Sequence, residues 1–186
     1  MLGFAFCGSF CTHQVAFGEL ERLVKDGYEI QPIFSDRVYS TDTRFGKARD
    51  LKDRVEALCK RPVIHTIEDA EPLGPKMPLD ALLICPCTGN TLAKLAHGIT
   101  DTPVCMAAKA HLRKDRPLVI ALASNDALSA NLSNLAALLQ KKSVYFVPMR
   151  QDDPEGKPHS LVAEFSLLAP TLEGAMMGKQ LRKLFL

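Results

Sequence analysis

The sequence has no excess of either charge and no long apolar run. Lys and Arg number 23 against 21 Asp and Glu, which gives a formal net charge of +2 at pH 7. This balance excludes bulk electrostatic attraction to nucleic acid or to an anionic membrane, so any bound anion must be held by local groups. Apolar runs such as Leu118–Ala123 are far shorter than the ~20 residues of a transmembrane helix.

The N-terminal region also lacks the signals of export. No basic segment precedes its apolar residues and no small-residue cleavage site follows them, so we expect no signal peptide and a cytoplasmic location. The chain has 186 residues, of which 47% are hydrophobic. That length and composition suit one hydrophobic core, and we expect a single domain over residues 1–186.

Motifs for metals and nucleotides are missing as well. The six cysteines include no CxxC pair and no histidine at zinc spacing, so no metal site is predicted and most thiols should be buried. Cys85 and Cys87 are two apart in an apolar run, which predicts that they share one strand face. There is no GxGxxG, and Ser9 stands where the lysine of a P-loop belongs, so neither nicotinamide nor triphosphate binding is predicted.

The chain does contain short apolar runs that alternate with amphipathic stretches. This alternation predicts an α/β fold, a doubly wound parallel sheet of Rossmann-like or flavodoxin-like type with helices on both faces. The predicted strands are Leu2–Cys7, Glu29–Phe34, Val63–Thr66, Ala81–Cys85, Leu118–Ala123 and Val144–Val147. The predicted helices are Val15–Lys25, Ala48–Cys59, Thr91–Ala96, Ala127–Leu139 and Thr171–Phe185. Proline-rich segments at 71–78 and 151–160 are predicted to be connections, the second of them exposed.

The loop after the first predicted strand suits an anion. In open α/β sheets, ligands bind beyond the carboxyl ends of the strands. Gly8 and Ser9 end that strand and Thr12 follows one turn later, so backbone N–H groups, hydroxyls and a helix N-terminus can converge on a phosphate. The simpler explanation is a glycine at a strand end followed by a capping serine.

The loop after the fourth predicted strand is polar and uncharged. Pro86 is followed by Thr88, Asn90 and Thr91, and no charged residue occurs before Lys94. Short polar side chains on such a turn can donate to phosphate oxygens or to a heterocycle. Asn90 or Thr91 acting as a plain helix cap is the alternative.

Two of these loops carry a family resemblance. The stretch DALLICPCTGNTLAKLAHGITD, from Asp80 to Asp101, resembles the ligand loop and following helix of the flavoprotein family, which includes homo-oligomeric flavin-containing cysteine decarboxylases and flavin prenyltransferases. GSFCT fits the first loop of that family. Over Glu71–Phe165 the resemblance narrows to a subfamily of spore-forming bacteria, supported by the CTGNT, SNDAL and YFVPMRQDDP stretches.

The family resemblance implies FMN at the carboxyl ends of the strands, often across the interface of two protomers, and therefore a homo-oligomer. It implies the following contacts: Gly8, Ser9, Thr12 and Ser35 with the phosphate; Pro86, Thr88, Asn90 and Thr91 with the ribityl chain and phosphate; Ser124 and Asn125 with the ring.

The narrower resemblance implies a reaction shared between two proteins. Members of this subfamily act with a partner of nicotinamide-binding fold, the A subunit, and oxidise the small dicarboxylate dihydrodipicolinate to dipicolinate in the mother-cell cytoplasm during sporulation, so NAD(P) would enter only through the partner. Arg44 ranks first for the substrate, since arginine suits carboxylates. The basic cluster at 109–116 is the alternative, although a solvated helix end explains it more simply. A non-catalytic activator of the A subunit with a vestigial flavin pocket remains a second hypothesis.

The sequence departs from the wider family at several positions. Cys87 and Gly89 stand where alanines are usual, and the substrate loop of the decarboxylases is replaced by residues 123–126, so peptidyl-cysteine decarboxylation is not expected. Prenyl transfer would require a basic cluster near GSFCT, which is absent. His65 lies near the position of a decarboxylase histidine, but a structural hydrogen-bonding role is the better prediction. The catalytic residue stays unassigned.

Overall fold

The computed structural model describes residues 1–74 and 76–186, so Pro75 of the predicted connection 71–78 lies outside the described residues. Among them, seven strands form one sheet in the order β2-β1-β3-β4-β7-β6, and β5 also pairs with β4. The five strands β1 to β5 pair in parallel, while β6 and β7 extend the sheet in antiparallel fashion. The strands are β1 Leu2–Phe6, β2 Ile30–Phe34, β3 Ala81–Cys87, β4 Leu118–Ser124, β5 Val144–Phe146, β6 Met149–Arg150 and β7 Leu161–Ala163.

Helices cover both faces of the sheet because its strands are apolar on both sides. Along β1 the side chains alternate between two cores, with Phe4 and Phe6 in one and Ala5 in the other. The helices are α1 His13–Lys25, α2 Asp36–Ser40, α3 Ala48–Cys59, α4 Ile67–Ala70, α5 Gly89–His97, α6 Pro103–Leu112, α7 Leu132–Leu139 and α8 Leu168–Met176. The predicted α/β sheet with helices on both faces is confirmed. No helix among the described residues is long and apolar enough to cross a membrane.

Two predicted elements are wrong in kind or extent. Val63–Thr66 is not a strand, because only Ile64 forms a bridge to Ile33 and Thr66 then caps α4 by accepting from the N–H of Asp69. The last helix ends at Met176 and not at Phe185, since Gly178 adopts a left-handed φ of 73°.

The helix predicted over Ala127–Leu139 begins at Leu132, five residues after its predicted start. The carbonyl of Asp126 accepts from the N–H groups of Ser129 and Asn131, which holds the preceding residues in turns. Helices α2, α4 and α6 were not predicted from the sequence.

Cys85 and Cys87 do not share one strand face. The pairing of β3 with β4 shifts register between Ile84 and Cys87, so that the two thiols enter opposite cores. Both residues are fully buried, and burial raises the pKa of each thiol well above its ordinary value. Neither thiol is therefore available as a nucleophile.

Candidate functional site

A cleft of ≈ 960 Å³ opens beyond the carboxyl ends of β1, β3 and β4. This volume lies within the ~300–1,000 Å³ of pockets that hold cofactor-sized ligands. Eight of the residues predicted from the sequence line it: Gly8, Ser9, Thr12, Arg44, Thr88, Asn90, Ser124 and Asn125. Loops that are far apart in the chain therefore meet at the sheet edge where the strand order predicts a ligand.

The first loop presents a helix start to the cleft. The residues Phe10–Thr12 form a 3₁₀ turn that runs directly into α1. The hydroxyl of Thr12 donates to the Ser9 carbonyl at 2.8 Å, which fixes this turn. The side chain of Ser9 makes no capping hydrogen bond, so the capping explanation does not account for it. N–H groups in the first turn of a helix favour an anion.

The second loop starts α5, and its cap is Thr88. The Thr88 hydroxyl accepts from the Thr91 N–H at 3.2 Å, so the cap is neither Asn90 nor Thr91 as the alternative proposed. Asn90 is exposed in the cleft lining and its side chain is not needed for capping.

Three predicted contact residues lie behind the lining instead of in it. Thr91 is buried, and its hydroxyl contacts the Cys7 sulfur at 3.4 Å. The carbonyl of Pro86 accepts from the Cys7 N–H at 3.2 Å. Ser35 caps α2 by accepting from the N–H of Val38 at 3.4 Å. These residues position the loops around the cleft, and their contact with a cofactor stays a prediction.

A polar network that the sequence did not reveal lies beneath the end of the cleft formed by Ser124 and Asn125. Asp126 is its centre: one carboxylate oxygen accepts from the Ser124 hydroxyl and the other from Asn131 Nδ2 at 2.9 Å. Asn134 in turn donates to the Asn131 side chain at 2.9 Å. Asn131 is buried, so this hydrogen-bonding chain fixes both Ser124 and Asp126.

Gly89 allows this network to approach α5 closely. A Cβ at position 89 would lie 2.6 Å from the Ser124 hydroxyl, 2.7 Å from Asn131 Nδ2 and 2.7 Å from the Asp126 carboxylate. All three distances are shorter than van der Waals contact. A side chain at this position would therefore require the network to move.

The connection 151–160 forms another wall of the cleft. Its residues up to His159 are exposed, as predicted, but Asp152, Lys157 and His159 line the cleft, which composition alone did not indicate. Lys157 pairs with Asp152 at 3.2 Å, and the carbonyl of His159 accepts from Leu128 at 3.0 Å. The pairing of β7 with β4 brings this segment over the site.

Charges in the cleft are nearly balanced. Lys157 and Asp152 offset each other, which leaves Arg44 and the carboxylate of Asp126. Arg44 lies at the tip of a tight turn and its guanidinium is 4.9 Å from the ring centre of its neighbour Phe45. The basic cluster at 109–116 is remote from this site, since Arg116 pairs with Asp80 at the start of β3.

The histidines near the site have structural contacts. His65 does not line the cleft, and its ring stacks on Tyr39 with centroids 3.7 Å apart. His13 Nε2 donates to the Cys7 carbonyl at 2.8 Å. Burial lowers the pKa of His13, so its imidazole is neutral at pH 7, and burial raises the pKa of the Cys7 thiol to about 12.

Comparison with known proteins identifies relatives over almost the whole chain. The family model described as Flavoprotein matches residues 4–163. The B subunit of dipicolinate synthase from Bacillus subtilis is 46% identical over 181 residues, which cover 97% of this chain and 90% of that protein. The resemblance predicted from the motifs is thus confirmed.

Solved structures agree with the fold. The crystal structure of the dipicolinate synthase B subunit from Bacillus halodurans C has a TM-score of 0.92 at 39% identity and covers 100% of this chain and 95% of that one. The FMN-dependent cysteine decarboxylase SpaF has a TM-score of 0.66 at 26% identity, with 94% and 95% covered.

Proposed function

This chain belongs to the Flavoprotein family, and we propose that it is the FMN-binding B subunit of a dipicolinate synthase. Acting with an A subunit, it oxidises dihydrodipicolinate to dipicolinate during sporulation. The observation that carries this proposal is the cleft of ≈ 960 Å³ at the carboxyl ends of β1, β3 and β4, lined by eight of the predicted contact residues. The extent of similarity to a known B subunit, over 97% of the chain, supports the choice of reaction.

The residues present fit the phosphate of FMN. The loop of Gly8, Ser9 and Thr12 contains no carboxylate and runs into the N-terminus of the 13-residue helix α1. Such a helix start favours an anion through its free N–H groups and its dipole. Asn90 adds an exposed amide on the facing loop, so the phosphate and the ribityl hydroxyls would be held by neutral donors.

The end of the cleft formed by Ser124 and Asn125 would orient the flavin ring. Ser124 and Asn125 would approach the ring, with Ser124 held in place by Asp126. Bound FMN supplies the two-electron acceptor that oxidation of a dihydropyridine requires. The carboxylates of Asp126 and Asp152 line the same cleft and are groups able to accept the ring proton that leaves the substrate.

The remaining parts of the proposal concern the setting of the reaction. NAD(P) enters only through the A subunit, and the protein acts in the mother-cell cytoplasm as a single domain over residues 1–186. A homo-oligomer is also proposed. Ile99 follows the end of α5 and Leu132 is the first residue of α7, and both side chains are about half exposed. Because α5 and α7 pack together, these two apolar residues suit an interface between copies of the chain.

One observation favours the alternative of a non-catalytic activator with a vestigial flavin pocket. The Asp126 carboxylate lies against Gly89, the first residue of α5, where a bound phosphate would also be favoured. The hydroxyls of Ser124 and Thr88 are in addition engaged with Asp126 and Thr91. Side chains that already form hydrogen bonds with one another gain less free energy by binding a ligand.

A titration of the purified chain with FMN, followed by visible absorption, tests the proposal. We expect saturation at one FMN per chain, with a perturbed flavin spectrum. Riboflavin, which lacks the phosphate, is the matched ligand and is expected to bind at least about tenfold more weakly, because a hydrogen bond to a charged group contributes ~1.5–3 kcal/mol. Absence of saturable binding would favour the activator, and equal affinities would contradict a phosphate held by the two loops.

A further inference from the structure

A second cavity, which we call the side chamber, adjoins the cleft. It has a volume of ≈ 260 Å³ and lies between α1, α3 and the turn at residues 43–46. At ~30 Å³ per molecule this is the space of about nine waters, which suits a single small ring and not a tricyclic flavin. None of the residues predicted to bind FMN lines this chamber.

The side chamber and the cleft share a wall. Phe10, Cys11 and Phe45 line both cavities. Phe45 is 54% exposed at the tip of a turn that paired backbone hydrogen bonds between Thr43 and Gly46 close at 3.0 and 3.1 Å. A ligand in the side chamber would therefore lie next to whatever occupies the cleft, with the aromatic ring of Phe45 at the boundary.

The lining of the side chamber combines aromatic rings with cations. Phe10, Phe17 and Phe45 contribute rings, while Lys47 and Arg54 contribute positive charge. The expectation that no basic cluster lies near GSFCT is therefore wrong, because the fold brings these distant residues next to Phe10 and Cys11. The Arg54 guanidinium lies 4.1 Å from the centre of the Phe17 ring, which orients it without neutralising it.

The charges of the side chamber favour an anion. Among the described residues, neither Lys47 nor Arg54 has a carboxylate within ion-pair distance. Asp50 is the acidic residue of the lining, so two cations face one carboxylate. The chamber also includes the start of α3, a helix of 12 residues whose dipole adds to the positive potential.

We propose that the side chamber is an accessory site, apart from the flavin ring, and that it binds a planar six-membered ring that carries two carboxylates, the dihydrodipicolinate and dipicolinate class. This inference rests on the function proposed above and extends it, because it adds a second site for the dicarboxylate next to the FMN cleft, on the side of Phe10 and Cys11. Phe10, Phe17 and Phe45 pack around the ring, and Lys47 and Arg54 pair with the carboxylates. Arg44, on the same turn as Phe45, stands at the boundary and guides the anion inward.

Binding of dipicolinate to the FMN-loaded chain, measured by calorimetry, tests the assignment. Buffers are stripped of divalent cations because this ligand chelates them. Arg54→Gln and Lys47→Gln are each expected to weaken binding at least about tenfold, since each removes a charge-assisted contact. Arg49→Gln is the matched control on α3, because Arg49 is exposed, pairs with Asp53 and lies outside the chamber. This variant should bind dipicolinate with the affinity of the wild type.

Cysteine labelling provides a second readout that locates the ligand. Cys11 is exposed and lies on the wall that the side chamber shares with the cleft, so the dependence of its protection on Arg54 is what places the ligand in the chamber. Half-buried Cys59 lies in a different part of the surface. Dipicolinate is expected to slow alkylation of Cys11 several-fold without changing the slower rate of Cys59, and Arg54→Gln should remove this protection. Pyridine, which has no carboxylates, should not protect Cys11.

The outcomes separate this inference from the function on which it rests. FMN affinity is expected to be unchanged in Arg54→Gln and Lys47→Gln. If FMN binds but dipicolinate binds the wild type and both variants equally, or does not bind at all, the accessory site is wrong and the flavin function stands. If dipicolinate protects Cys11 in an Arg54-dependent way although FMN never binds, the accessory site stands and the flavin function fails.

Discussion

Replacing Gly89 with alanine is expected to lower the affinity for FMN about 10–100-fold while the chain remains folded. The added methyl group would lie 2.6–2.7 Å from Ser124, Asn131 and Asp126, so the network must move. Overpacking of this kind costs ~1–3 kcal/mol, which is less than the ~5–15 kcal/mol stability of a typical domain. The displaced Ser124 no longer lies where the ring is expected, and FMN titration with circular dichroism measures both effects.

Gly18→Ala is the matched control for this variant. Gly18 lies in α1, and a Cβ there would meet no atom within 4 Å. Alanine in the middle of a helix is favoured over glycine by ~0.5–1 kcal/mol, so this control should be slightly more stable and should bind FMN as the wild type does. Wild-type FMN affinity in Gly89→Ala would contradict the placement of the flavin ring beside Ser124.

Gly74→Ala is expected to produce a large loss of stability without affecting FMN binding in the fraction that is folded. A Cβ at this position would collide with the carbonyl oxygen of Ala110 and lie 2.8 Å from its carbonyl carbon. Gly74 has a φ of −97°, which any residue can adopt, so the cost is steric alone.

Backbone contacts of this kind cannot be relieved by rotating a side chain, and we expect a loss of at least ~1–3 kcal/mol. Urea unfolding of the wild type, Gly74→Ala and Gly18→Ala measures it. An unchanged midpoint in Gly74→Ala would mean that α6 shifts away at little cost, and the close packing of α6 against this segment would be refuted.

The sheet was predictable because its strands are buried on both faces. Parallel strands covered by helices read as continuous apolar runs, and Leu118–Ala123 differs from the observed β4 by one residue. Helix α6 was missed for the same physical reason. Seven of its ten residues are buried, so it has no polar stripe from which a helical period could be recognised.

The candidate site was predictable where it consists of loops that follow strands. Gly8, Ser9 and Thr88 come directly after strands, and parallel pairing brings such loops to one edge. Asp126 and Asn131 were missed because their network depends on the close approach of α5 at Gly89. Lys157 was missed because a polar, proline-containing segment indicates only exposure, and its position over the cleft follows from the pairing of β7 with β4.

The most direct test is reconstitution of dipicolinate formation from dihydrodipicolinate, with the A subunit present and with or without this chain and FMN. We expect full activity only when the chain and FMN are both added, and Gly89→Ala in place of the wild type should reduce the rate at limiting FMN. Full activity of the A subunit without this chain would contradict the proposed reaction role. If the chain instead activates the A subunit to the same extent with and without FMN, it is a protein partner that uses no flavin.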